Sequence, residues 1–399
     1  MRNKLLCGVL LLSSLMPLAQ VSAPGSAASL LQDAAQAMTA GKLTQAETDL
    51  QTVLRTTPDD HRALDLLGVV RVLQHRDVAA EQLFRRAVLK KADFAPAHAH
   101  LGLLYLQEGR ADDAVPQLRE ALRIDSARTD ASNALVQILR DQSKTAAAAG
   151  NSAGSLALLR EARNYAPDNP DVQFEFGTTA LQLSLWQDAI AAFQQTSRLR
   201  QNDPVALYSL GRAFLGEWKF EDARQQFARY VEARPDDASG HCALGMTLAA
   251  LENTLEAREQ FERSIALAPE QTESYFRLGL IELNVKDLDE AATNFRQVLT
   301  RDSKHAGALS ALGRVAFEQK HYSDAIDLLQ RAMASDDSSR EAHYYLGLTF
   351  ARLGRKEEAD TQLQIATRLE HDEAQQRRMV LRIQDEQGSG DHQNSEPKK

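Results

Sequence analysis

The chain has 399 residues, 43% of them apolar and 25% charged, enough to bury a large core, but only 6% are aromatic. That is thin for a core of packed sheets, so the composition leans towards helices. A net charge of −9 sets the chain against nucleic acid and anionic membrane surfaces, both of which are held by clustered Lys and Arg.

In chain order, the first element reads as an export signal over residues 1–23. Arg2 and Lys4 precede an apolar run from Leu5 to Leu15, Pro17 breaks it, and small residues surround Val21, Ser22 and Ala23. The run is about a dozen residues, short of the ~20 that a helix needs to cross hydrocarbon, so cleavage is expected rather than anchoring. Cuts after Ala19, Ala23 or Ala28 all remain open. Of the two cysteines, Cys7 lies inside this segment, which leaves Cys242 and no internal disulfide in the exported chain. No later stretch has the length of a membrane span, so no integral span is expected in the mature chain. The expected location is periplasmic or secreted, in a bacterial envelope.

From residue 27 the chain is periodic. Gly177, Gly211, Gly245, Gly279, Gly313 and Gly347 stand 34 residues apart, and Gly68 and Gly102 keep the same interval. Twelve residues behind the glycines run Ala80, Ala114, Ala189, Ala223, Ala257, Ala291, Ala325 and Ala359, and four further on comes a large apolar residue such as Phe84, Phe227 or Phe295. One period, Pro204 to Asp237, shows the physics. Asp203 caps a helix with Pro204 in its first turn, and Leu207, Leu210, Gly211 and Phe214 share one face. Gly216 is a plausible stop, and a second helix carries Ala223, Phe227 and Tyr230 and ends before Pro235. Gly211 and Ala223 are read as small because two backbones approach closely there. Neither helix buries its stripe alone, so pairs must stack.

Ten units are expected, beginning at Ala27, His61, Ala95, Thr129, Pro170, Pro204, Ala238, Thr272, Ala306 and Arg340. Repeats 1–3 span residues 27–128. Repeat 4, residues 129–169, is degenerate: Val136 takes the Gly place, Ser155 the Ala place, and seven extra residues fall around Ser143 to Ser155. Seven residues are roughly two helical turns, and Ala146 to Ala149 favour helix until Gly150. Repeats 5–10 span 170–373. Residues 374–387 are expected to form a capping helix with Met379, Val380 and Ile383 as its apolar contacts, and 388–399 a polar, disordered tail.

This pattern of Leu-Gly in a first helix, Ala then Phe in a second, and Pro in the closing turn resembles the tetratricopeptide repeat family. The resemblance implies an all-α, right-handed superhelical solenoid of about ten helix-turn-helix repeats, with a concave surface lined by the first helices and a role in protein–protein interaction. The expected partners are other proteins or peptides. The family's carboxylate clamp of Lys and Asn is absent: its places hold Arg62, Asp65, Val69, Ala99 and Leu103, and later Asp171, Phe174, Thr178, Tyr208 and Arg212.

Catalytic, cofactor and metal sites are not expected. Gly150-Asn151-Ser152-Ala153-Gly154 matches a nucleophile elbow by letters but lacks the strand and sheet that the motif needs. His98 and His100 are two apart on a helix and point to different faces, so they cannot share a metal. Cys242 reads as a small packed residue. The candidate partner-binding residues are Phe174, Tyr208, Phe276 and Tyr344, which recur at one place on the inner face, with Arg212, Arg314 and Arg352 interleaved. The competing reading is that the aromatics cement neighbouring first helices. The functional expectation is an exported scaffold or assembly factor, with an auxiliary subunit of an envelope secretion or biogenesis complex as the alternative.

Overall fold

The computed structural model describes residues 25–201 and 203–391, apart from the side chains of residues 376–391. The export signal at 1–23, the contacts expected of Met379, Val380 and Ile383, and the tail from 392 lie outside the described residues. The described residues form helical hairpins and no strand. The hairpins are α1 (Ala27–Thr39) with α2 (Leu43–Thr56), α3 (His61–Leu73) with α4 (Asp77–Lys90), and α5 (Ala95–Gln107) with α6 (Ala111–Ile124). Then come α7 (Thr129–Ala148) with α8 (Ser152–Tyr165), α9 (Pro170–Gln182) with α10 (Trp186–Leu199), and α11 (Pro204–Gly216) with α12 (Phe220–Ala233). The remainder are α13 (Ala238–Ala250) with α14 (Thr254–Leu267), α15 (Thr272–Asn284) with α16 (Leu288–Arg301), α17 (Ala306–Glu318) with α18 (Tyr322–Ser335), and α19 (Arg340–Arg352) with α20 (Lys356–Asp391). They divide into two compact units, Met1–Ala206 and Leu207–Lys399. Within each, a hairpin packs on the next in chain order, as a repeat stack requires.

Most first helices start at a capping side chain, whereas α5, α7 and α15 start at Phe94, Arg128 and Gln271 without one. The Asp203 carboxylate accepts from the Val205 amide at 3.0 Å, and Asp60, Asn169 and Asp237 do the same for α3, α9 and α13. They stop in a left-handed residue seven places after the glycine, or after Ala34 in the first hairpin: Gly41, Gly109 and Gly354 in three hairpins, but His75, Ser184, Trp218, Glu252, Lys286 and Lys320 in six others. At Glu252 the closing bonds are Glu252 N–H to Ala249 O, 3.1 Å, and Asn253 N–H to Leu248 O, 2.9 Å, the double bond pattern of a Schellman stop. The stop of α11 is therefore completed by Trp218 at φ +60° and not by Gly216 alone.

The glycine series has a different cause from the backbone crossing that the sequence suggests. A β-carbon on Gly279 would stand 2.7 Å from Cε1 of Phe295, and on Gly211 2.8 Å from the Phe227 ring; Gly68, Gly177 and Gly245 face Phe84, Phe193 and Phe261 alike. The glycine is thus the seat of the second helix's large side chain sixteen residues on. Where that side chain is Leu, as at Gly102 and Gly347, the carbonyl of the alanine in the second helix also comes close, at 3.3 and 3.2 Å.

The fourth hairpin departs as its sequence does. Its seven extra residues lengthen α7 to twenty residues, and Gly150, at φ +77°, ends it. Val136 and Leu159 are both buried, and the Ser143 and Ser155 hydroxyls meet at 2.8 Å in the interior. The added turns leave an open notch of about 300 Å³ against the third hairpin, lined by Leu106, Ala111, Ile138, Asp141, Gln142 and Thr145. At the far end, the separate capping helix expected over 374–387 is not a separate element. The helix α20 runs from Lys356 to Asp391 without a break, because no Pro or Gly interrupts it before Gly388.

Candidate partner-binding face

The candidate residues sit on first helices, at the fifth, ninth and thirteenth positions of a repeat. In the unit Leu207–Lys399 the fifth position reads Tyr208, Cys242, Phe276, Ser310, Tyr344, so rings alternate with small residues. The reason is packing. Phe276 meets Phe295 of its own hairpin at a tilt, with ring centres 6.0 Å apart, and His305 likewise at 5.0 Å; its Cζ stands 3.0 Å from where a β-carbon on Gly307 would be. Tyr208 is wedged between Phe227 and Tyr230, at 5.5 and 5.1 Å, and burial pushes its phenol pKa up. Tyr230 in turn donates to the Asp237 carboxylate and leans over Gly240. Cys242 is 5% exposed, and burial raises its thiol pKa, which suits a packed residue better than a nucleophile.

Tyr344 differs: it is 42% exposed and touches Tyr345 edge-on at 5.3 Å. The three arginines also divide. Arg314 is engaged inside the protein, with Glu318 at 3.5 Å, Glu341 at 3.4 Å and the Tyr345 ring beneath it at 5.4 Å. Burial would raise the Glu318 carboxyl, but the Lys286 ammonium and then Arg314 outweigh it and hold it below the usual carboxylate range. Arg212 and Arg352 are exposed and make no ion pair with any described residue.

In the unit Met1–Ala206, Phe174 is half-buried, its ring 5.6 Å from Phe193. Beside it, Glu175 is gripped by Arg140 through two bonds of 2.8 Å each. The fifth position of α3 holds Asp65, whose carboxylate is 2.8 Å from Nδ1 of the buried His100. One side of the candidate set, Phe174, Tyr208 and Phe276, is therefore built into the packing, and the other, Arg212, Tyr344 and Arg352, is presented outward.

The histidines that a metal reading would start from serve another purpose. His98 faces the Gln117 side chain at 2.9 Å through Nδ1 and donates from Nε2 to the Ala92 carbonyl at 3.0 Å. His241 with Gln260 and the Pro235 carbonyl, and His343 with Gln362 and the Asp337 carbonyl, repeat the arrangement. Each ties the closing turn before its helix to the second helix after it. Sequence reasoning missed these clasps, although a His followed nineteen residues later by Gln, three times in phase with the repeat, is a readable signal. Among the described residues no group of three or more His, Cys, Asp or Glu could hold a metal ion, and no helix is long and apolar enough to cross a membrane.

Comparison with known families rests on the same residues. A tetratricopeptide repeat model matches 31–99, 140–196, 174–238 and 242–306, a second matches 282–343 and a third 95–128. The chain belongs to the tetratricopeptide repeat family. No curated protein matches the sequence. Solved structures similar to this tetratricopeptide chain include MamA from Desulfovibrio magneticus RS-1, 23% identical over 43% of this chain and 97% of that one, at a TM-score of 0.41. Another is YrrB, described as a TPR protein with an unusual peptide-binding site, 21% identical over 46% of this chain and 95% of that one, at 0.40. The Cut9–Hcn1 hetero-tetramer of the APC/C is 15% identical over 86% of this chain and 81% of that one, at 0.47. At these identities and scores the likenesses carry no argument about ligands.

Proposed function

We propose that this tetratricopeptide chain is an exported protein-binding scaffold of a bacterial envelope, taking other proteins or peptides on its first-helix face. Family membership supports the class of function, and the basic-then-apolar opening of the sequence supports export. One observation carries the choice of face. Most arginines of the repeats are paired with carboxylates of the chain, whereas Arg212 and Arg352 stand exposed on first helices without one among the described residues, in the unit that also presents Tyr344. Guanidinium and phenol groups left open in this way are suited to an interface. The net charge of −9 makes nucleic acid a poor alternative.

The test compares two sets of variants of the full chain by affinity capture from a native envelope extract. Arg212→Ser combined with Tyr344→Ser and Arg352→Ser is expected to melt as the parent does and to lose the captured partners. Tyr208→Ala with Phe276→Ala is expected to melt several degrees lower, because both rings are packed. Retention of every partner by the first variant would overturn the choice of face. Export is checked separately: the periplasmic or secreted protein is expected to start after Ala19, Ala23 or Ala28, and retention of the intact chain in the cytoplasm would overturn it.

A further inference from the structure

A second surface lies away from the first-helix face, on the hairpin tips of the unit Leu207–Lys399. Trp218 is 77% exposed, Leu255 78% and Val285 55%, and each belongs to the tip of a successive hairpin: Trp218 is the left-handed residue of its turn, Leu255 lies three places after Glu252, and Val285 one place before Lys286. Phe220 backs Trp218 edge-on at 5.9 Å, and Leu251 and Leu288, on the same two turns as Leu255 and Val285, are half-buried. Trp218, Glu252 and Lys286 are the left-handed residues of equivalent turns, one per repeat, so the three tips lie on the same edge of the stack, and Arg258 ties the second tip to the third through Glu282 at 2.9 Å. The apolar side chains therefore share one edge.

The charges around them are one-sided. Every cation of the three tips is already engaged: Lys219 with Glu217, Arg224 with Glu221, Arg258 with Glu282 and Lys286 with Glu318. Asp222, Glu252, Glu256 and Glu290 are exposed carboxylates with no ion-pair partner among the described residues. Trp218 is the bulkiest side chain at any of the left-handed turn positions, where three hairpins use glycine, so a large ring is held in solvent at a backbone position that disfavours it.

We propose that this edge docks a basic amphipathic helix of a partner protein, its apolar face on Trp218, Leu255 and Val285 and its Lys or Arg side chains on the unpaired carboxylates. A second copy of this edge would set carboxylate against carboxylate, and an anionic bilayer would meet the same repulsion. The surface does not depend on the first-helix face and stands if that reading falls.

The test uses the full chain with Trp186→Phe, so that Trp218 is the only tryptophan left to report by fluorescence. The probe is an eighteen-residue Leu–Lys peptide patterned as an amphipathic helix, with a shuffled peptide of the same composition and a Leu–Glu version as controls. The patterned Leu–Lys peptide is expected to shift Trp218 emission to the blue and to bind about tenfold or more tighter than either control. A companion variant, Leu255→Ser with Val285→Ser, is expected to lose that advantage while keeping the parent's helical circular dichroism. Equal binding of the shuffled peptide, or unchanged binding to the companion variant, would overturn the proposal in favour of unspecific attraction to an acidic protein. Concentration-dependent dimerisation that the companion variant abolishes would overturn it in favour of a second copy, and blue-shifted binding to zwitterionic vesicles in favour of a bilayer.

Discussion

In the hairpin α15–α16, the Phe295 ring fills the space in which a β-carbon on Gly279 would stand, and Ala291 is fully buried beside it. In α7–α8 the matching places hold Val136, Leu159 and Ser155, and the Ser155 hydroxyl meets that of Ser143, a residue at the place of the usual left-handed turn that is helical here because α7 is two turns longer. The first hairpin is closed by shape: a rigid ring in a notch that any side chain would occupy. The second is closed by a polar contact across helices, with a β-branched residue where the notch would be. Both bury their stripes, so the 34-residue interval is one solution to stacking hairpins and not a condition of it. What the regular hairpins gain is tolerance of a large aromatic core; what the fourth gains is freedom to lengthen.

The comparison is broken most severely at the notch. Gly279→Leu must move a ring that is fully buried, so the cost is expected at the upper end of the overpacking range, about 3 kcal/mol. It should appear as a lower urea midpoint with helix content largely kept. An unchanged midpoint would show that Phe295 swings aside and that the glycine is not its seat.

Val136→Gly would restore the residue that the other repeats use, yet it is expected to destabilise by about 2 kcal/mol. It deletes a buried apolar side chain from the core that Leu135, Ile138 and Leu139 share with it, and it adds the cost of glycine in a helix interior. Stabilisation by this change would mean that the fourth hairpin is a failed copy of the others and not a repacked one.

Ser155→Ala likewise restores the common residue, and is expected to cost about 1 kcal/mol, because it leaves the Ser143 hydroxyl buried without its partner. The double change with Ser143→Ala should recover most of that. A double-mutant cycle that closes to zero would remove the hydroxyl pair from the account. The same hairpin provides a kinetic check: residues 149–151 are exposed around Gly150, so limited proteolysis should cut there first and leave helical fragments on either side.

Much of this was legible in the residues. The interval of the glycines placed the hairpins, Asp203 and Pro204 placed the start of α11, and Ala146 to Gly150 placed the end of the lengthened α7. The cause of the glycine was not legible, because a pattern of small residues is the same whether a backbone or a ring comes close; only the position of Phe295 over Gly279 separates the two. The capping helix was misread because apolar residues at 379, 380 and 383 suggest a new face, whereas nothing in the sequence stops the helix that precedes them. In the candidate site, the fifth-position rings were found by their recurrence, but recurrence cannot say which way a ring leans. Phe276 leans over Gly307 and Tyr344 does not lean inward to the same extent.

The smallest effect concerns the turn, where the fourth hairpin is the better made of the two kinds. Gly150 closes α7 at φ +77°, while Glu252 closes α13 at φ +63° with its side chain in solvent. A non-glycine residue in that region is disfavoured by roughly 1–2 kcal/mol, because its β-carbon approaches the following carbonyl oxygen. Glycine removes that contact but brings a more disordered unfolded chain, which returns about 0.5–1 kcal/mol. Glu252→Gly is therefore expected to raise stability by about 0.5 kcal/mol, as a small upward shift of the urea midpoint at unchanged slope. Gly150→Ala should move the midpoint the other way by about 1 kcal/mol. If both substitutions leave the midpoint where it is, the left-handed turns are held without strain by the helices on either side, and the two kinds of hairpin differ in their cores alone.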